Sequence, residues 1–208
     1  MKTNRFLSRN FLKFRATEHT FMIIIAIIIG FLGGLGAVGI QFLIKVFQEI
    51  FWGNWNLGLE FLRTVPIYVK ILAPTIGGLV VGLIVYFVAS EAKGHGVPEV
   101  MEAIALKNGI IWPRVVIAKL FASAVCIGSG GSTGREGPVI QIGSSIGSSI
   151  GQFLRVNPTR MKIFVACGAA AGIAAAFNAP VAGALFSVEI ILGDFGVAQF
   201  SPIVIASV

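Results

Sequence analysis

Between Phe21 and Ile44 the chain runs for 24 residues without a charged side chain. About 20 apolar residues carry a helix across the hydrocarbon core of a bilayer. The run is therefore long enough to span with some tilt. It is too long for the core of a secretory signal and has no small-residue cleavage site at its end. Lys2, Arg5, Arg9, Lys13 and Arg15 precede it. Basic residues before a first span favour a cytoplasmic N-terminus. The rest of the chain agrees: hydrophobic residues make up 56% of its 208 and charged residues 12%. A soluble domain carries about twice that charged fraction. With a mean hydropathy of +0.90, the chain reads as an all-α, multi-pass integral membrane protein, and a bacterial-type plasma (inner) membrane is its expected location. The net charge of +7 then reads as topology. Nucleic-acid binding needs a basic face with interleaved aromatics, and none is evident.

Two parts are expected: a cytoplasmic segment over 1–20 and a transmembrane core over 21–208. Phe21–Phe47 is the first span, and the aromatics of Phe51–Leu62 suit a membrane interface. A second span, Ile71–Ser90, is expected to be interrupted at Pro74. Glu99–Lys107 can form a short helix, and Val115–Gly128 is apolar except for Lys119. Apolar segments follow at Val139–Leu154, Ile163–Phe177, Val181–Leu192 and Phe195–Val208. Several are too short to cross alone. Short, Gly- or Pro-interrupted helices meeting inside a membrane mark transporters and channels, because irregular backbone at that depth must be buried in protein or line a cavity. Gly143, Gly147 and Gly151, and likewise Gly168 and Gly172, recur every four residues, the spacing of close helix contacts in lipid. Cys126 and Cys167 form no metal spacing or disulfide framework and read as small buried hydrophobes.

Two breaks share a pattern. "GHGVP" (Gly94, His95, Gly96, Val97, Pro98) and "GREGP" (Gly134, Arg135, Glu136, Gly137, Pro138) are both G-x-x-x-P, and each precedes a helix-forming stretch. Proline suits the first turn of a helix. A helix N-terminus offers unpaired N–H groups and the positive end of a dipole. Two such ends aimed at one point hold an anion without a full positive charge, which suits an ion that must also leave. The carboxylate of Glu136 sits where such an anion sits. Ionised, it occupies the site; protonated, it swings away. A bland reading is also open: a solvated turn glutamate, or one paired to Arg135. Lys119 either snorkels to the surface or sets the potential of an anion vestibule. Glu189 reads as a structural hydrogen-bonding partner, His95 as accommodated in its glycine turn, and Asn178 with Pro180 as a helix break.

"GSGGSTGREGPVIQIGSSIG", "GAAAGIAAAFNAPVAGALFSVE" and "GHGVPEV" closely resemble the CLC family of voltage-gated chloride channels and chloride/proton antiporters. The resemblance covers about Leu72 to Phe195 closely and the first span loosely. It implies a bundle of tilted, short and broken helices, the first of two inverted repeats. It also implies a homodimer in membrane lipid with one anion pathway per subunit, chloride as permeant ion and no cofactor or metal. Glu136 matches the gating and outer proton-transfer glutamate, Gly134–Pro138 the second anion-binding motif and Gly94–Pro98 the first. His95 replaces the serine usual there, which leaves anion preference open. Ile190 stands where the well-known bacterial antiporters of the family carry an inner proton glutamate directly after the residue matched by Glu189; some exchangers of the family do without it. That substitution favours a gated channel, or a weakly coupled exchanger, over a fully coupled antiporter. The family's GxFxP motif and pore tyrosine belong to the second repeat and do not occur before Val208, so the chain is expected to be an N-terminal half.

Other classes fit less well. A P-loop needs Lys-Ser/Thr after its second glycine, and Gly134 is followed by Arg135-Glu136. No nucleophile elbow or HExxH pattern occurs, so no enzyme is expected. A non-conducting structural membrane fragment remains the alternative of another class.

Overall fold

The computed structural model describes residues 3–55, 58–87, 96–193 and 196–208. Helices α1 (Thr3–Trp52), α2 (Leu59–Thr64), α3 (Ile67–Phe87), α4 (Val97–Leu106) and α5 (Pro113–Gly128) form the first part. Helices α6 (Glu136–Phe153), α7 (Pro158–Phe177), α8 (Pro180–Phe186) and α9 (Val197–Ser207) follow. Among the described residues there is no strand.

The first helix runs on through residue 20 into the apolar run. It is one unbroken helix of 50 residues, because no proline interrupts Thr3–Trp52. It stops at Gly53, whose φ of 65° is the left-handed conformation that ends helices. Its buried stripe is Met22, Ile25, Ala26, Ile29, Ala37, Ile40 and Ile44, a helical spacing. Ile24, Ile27, Ile28, Phe31, Leu35 and Val38 point away from the core, as a lipid-facing surface does.

Pro74 does not interrupt α3 either; the helix runs through it. A spanning helix tolerates proline where its surroundings take up the freed backbone groups; the Thr75 hydroxyl donates to the Ile71 carbonyl at 2.7 Å, one residue beyond the Lys70 carbonyl that Pro74 leaves without an N–H partner. Together with α1 from Glu18 and α7, α3 is long and apolar enough to cross a membrane.

The core centres on α7. Phe164, Val165, Ala166, Cys167, Ala169 and Ala170 are fully buried, and α1, α6, α8 and α9 pack around them. Asn157 starts this helix: its side chain accepts the Arg160 N–H at 2.9 Å, and Pro158 fills the first position. Asn178, at φ 57°, ends it, and Pro180 opens the next helix. The expected break at Asn178-Ala179-Pro180 is therefore present. The four-residue glycine spacings work as expected. A Cβ on Gly143 would collide with the Gly168 backbone, and one on Gly147 with the Phe164 carbonyl. Both cysteines are free; Cys167 is buried and Cys126 half-buried.

The non-helical segment between α4 and α5 is held by α6. Ser148 Oγ donates to the Gly109 carbonyl at 2.7 Å and accepts the Ile111 N–H at 2.9 Å. Backbone polar groups away from water need such partners, and these bonds supply them at Gly109 and Ile111, the two buried residues of an otherwise exposed connection.

Candidate functional site

The two G-x-x-x-P segments, forty residues apart in sequence, meet in space. Gly96, at φ +99°, lies against the backbone of Gly137: a Cβ there would stand 2.5 Å from the Gly137 oxygen and 2.8 Å from its carbon. Only glycine meets both demands, the positive φ and the close approach. The start of α4 and the start of α6 are thereby brought side by side. Gly137 and Pro138 are buried, Val97 is half-buried, and Gly134, Arg135, Glu136 and Pro98 are exposed. Gly94 and His95 lie outside the described residues.

Each helix start is faced by a carboxylate. At α6 it is Glu136, whose side chain folds back over Gly134, so that a Cβ on Gly134 would collide with its carboxyl oxygen. The pairing of Glu136 with Arg135 does not form. The Arg135 guanidinium lies 5.6 Å over the ring of Phe177 instead, which ties the GREGP segment to the end of α7. Among the described residues the Glu136 and Gly137 N–H groups, in the first turn of α6, have no acceptor.

At α4 the carboxylate is Glu99, which sequence reasoning missed. Its Oε2 accepts the Gly96 N–H at 2.7 Å, and its Oε1 pairs with Lys119 Nζ at 3.3 Å. A glutamate three residues after the residue that precedes a helix is the reciprocal-cap signature, and that spacing from Gly96 was the available signal. Lys119 does not snorkel. It is buried, with 5% of its surface exposed, because Glu99 meets it from the neighbouring helix.

The loop ahead of α6 is anchored from below. Trp52, at the end of α1, donates its indole N–H to the Gly128 carbonyl at 3.0 Å, and its ring lies close to Gly130. The last turn after α8 is a π-helix, Ser187–Leu192. It turns Glu189 and Ile190 outward, so Glu189 is not the structural hydrogen-bonding partner expected; among the described residues it has no ion pair or hydrogen bond. Among the described residues no group of His, Cys, Asp and Glu could hold a metal.

Comparison with known proteins points one way. The family model described as voltage gated chloride channel matches residues 77–208. The chain is 35% identical over 196 residues to a ClcB-like chloride channel protein of Ralstonia nicotianae, covering 90% of this chain and 44% of that one. It is 37% identical over 143 residues to the voltage-gated ClC-type chloride channel ClcB of Yersinia pestis, covering 67% and 34%. Among solved structures, a slow cyanobacterial Cl−/H+ antiporter matches with a TM-score of 0.70 and 28% identity, over 89% of this chain and 45% of that one. A eukaryotic CLC transporter matches in fold, with a TM-score of 0.71 at 21% identity, over 89% and 36%. The chain spans less than half the length of each of these relatives.

Proposed function

The chain belongs to the voltage-gated chloride channel family, and we propose that it forms the first half of a gated chloride channel, with Glu136 as the gate. One observation carries the reading: Gly96 against Gly137 brings two helix starts together, one of them with N–H groups that lack acceptors among the described residues. An anion between them would use the N–H groups of Glu136 and Gly137 on α6. On α4 it would use those of Val97 and Glu99, since the Gly96 N–H is already donated to Glu99. Pro98 and Pro138 have no N–H to offer and preset the helix direction. Gly134 leaves room for the Glu136 carboxylate to fold back. In this reading the ionised carboxylate competes with chloride at the start of α6, and protonation releases it. Arg135, held over Phe177, sets the charge beside that entrance. The rest of the pathway comes from a second inverted repeat, and two copies of the whole protein pair in the bilayer of a bacterial inner membrane with their N-termini in the cytoplasm.

A second reading, a chloride/proton antiporter, is favoured by the likeness to the cyanobacterial antiporter. Ile190 argues against it, since a hydrocarbon side chain carries no proton. Chloride efflux and proton movement, recorded together from liposomes holding the whole protein, separate the two. Chloride running down its gradient without uphill proton movement supports the channel. Protons driven uphill by chloride support the antiporter, and no chloride flux overturns both.

A further inference from the structure

Glu99 is engaged on both carboxylate oxygens, one by the Gly96 N–H at 2.7 Å and the other by Lys119 Nζ at 3.3 Å. The Lys119 side chain is 7% exposed and that of Glu99 23%. Charges removed from water to this degree are weakly screened, so the loss of either partner leaves a strong local field. The pair also stands close to the meeting of the two helix starts. One carboxylate separates Lys119 from the Gly96 N–H, and the Gly96 backbone touches that of Gly137.

Resting on the anion-transport reading, we infer that Glu99 is a positioning residue that sets how tightly the anion is held between α4 and α6. It does so by cancelling the charge of Lys119 and by holding the Gly96 N–H. With the pair intact, the anion meets peptide dipoles and no net positive charge. That keeps binding weak enough for the ion to leave, as conduction requires. Without the carboxylate, Lys119 becomes an uncompensated cation next to the site and the anion stays longer. Lys119 thus contributes to the potential of the pathway only as half of a neutral pair. Glu99 differs in kind from Glu136. The exposed Glu136 has no ion-pair partner among the described residues, whereas Glu99 is fixed by one bond to the residue ahead of its own helix and one to α5.

Three variants of the whole protein test this, read by calorimetric titration of chloride in detergent and by chloride efflux from liposomes. Glu99→Gln keeps an oxygen acceptor for the Gly96 N–H and removes the charge. It is expected to bind chloride about tenfold more tightly and to slow efflux by a similar factor, the scale of one unscreened charge. Lys119→Met leaves the carboxylate unpaired and is expected to weaken chloride binding by about tenfold. The double variant Glu99→Gln/Lys119→Met restores neutrality and is expected within about threefold of the unmodified protein in both readouts, as coupled partners behave in a double-mutant cycle. Opposite shifts in chloride affinity for the two single variants, cancelled in the double variant, are what a merely structural pair does not produce. Where a single variant yields no folded protein, the double variant decides: a folded neutral pair that loses chloride affinity by about tenfold or more overturns the inference. An unmodified protein that binds and moves chloride while Glu99→Gln changes neither overturns this inference alone. An unmodified protein that neither binds nor moves chloride overturns the transport reading, and this inference with it.

Discussion

Gly96 rests on the carbonyl of Gly137, and the contact fixes how the starts of α4 and α6 face each other. Both the left-handed backbone at 96 and the 2.5 Å approach that any Cβ would make to the Gly137 oxygen exclude every side chain. The partner atom is backbone on a buried residue, so it cannot rotate away as a flexible side chain could. Gly96→Ala should therefore act on geometry before it acts on chemistry. The expected loss is about 2 kcal/mol or more, combining left-handed strain with the clash. It should appear as a lowered unfolding temperature in detergent and loss of anion flux in liposomes. An alanine variant with unchanged unfolding temperature would show that the two segments do not touch.

The glycines of the spanning helices divide into two groups. Gly143 and Gly168 press backbone against backbone, whereas Gly34 has nothing within 4 Å of the position a Cβ would take. All three sit in helices, where alanine is intrinsically better than glycine by about 1 kcal/mol. Gly34→Ala should thus leave stability unchanged or raise it. Gly143→Ala and Gly168→Ala should each destabilise by about 2 kcal/mol or more, since the helices must separate. Thermal unfolding of the three variants side by side checks the contrast. Equal behaviour of all three would mean that α6 and α7 are not packed through these residues.

This contrast also marks what the sequence can and cannot convey. The four-residue spacing of Gly143, Gly147, Gly168 and Gly172 announces close packing, because small residues at that period have few other uses in lipid. It does not say which helix each stripe meets, and Gly34 lies in an equally glycine-rich stretch without such a contact. The two G-x-x-x-P breaks were legible, since Pro and Gly punctuate helices locally. Their meeting through Gly96 and Gly137 was not, because it depends on how α4 and α6 are docked. Pro74 misled: its local effect is to break, but in a long apolar span the helix runs through it. Glu99 was overlooked because its cap spacing is weak as a signal by itself. Its second partner, Lys119, is 20 residues away and is found only once α4 and α5 are placed. Arg135 and Glu136, adjacent in sequence, were read as a possible pair, yet Arg135 is drawn to a ring from another helix.

Glu136 and Gly134 give a linked pair of expectations. If the Glu136 carboxylate gates the start of α6, Glu136→Gln should leave chloride flux intact and remove its dependence on external pH. Gly134→Ala should resemble it in part, because a methyl group at 134 occupies the place into which the carboxylate folds. Efflux measured at several external pH values checks both. Flux that disappears in well-folded Glu136→Gln would end the tethered-competitor role. Gly134→Ala that keeps the full pH response would show that the folded-back position is not the gating one.

Phe177 should matter for the anion entrance although it carries no charge. Its ring lies under the Arg135 guanidinium, 5.6 Å from carbon to ring centre, and 42% of its surface is exposed. A cation over an aromatic face at a partly exposed site is worth about 0.5–1 kcal/mol. Phe177→Leu keeps bulk at the end of α7 and removes the ring face. Phe177→Trp keeps a ring face, and a better one. If the ring holds Arg135 beside the entrance, Phe177→Leu should lower apparent affinity for external chloride by about two- to fivefold. Phe177→Trp should retain it, and both should unfold near the temperature of the unmodified protein. Screening by added salt offers a second check, because a displaced Arg135 is screened more readily and the leucine variant should show the steeper salt dependence. A leucine variant with unchanged chloride affinity and unchanged salt dependence would mean that Arg135 is placed by its own backbone, at the start of α6, and not by the ring it covers.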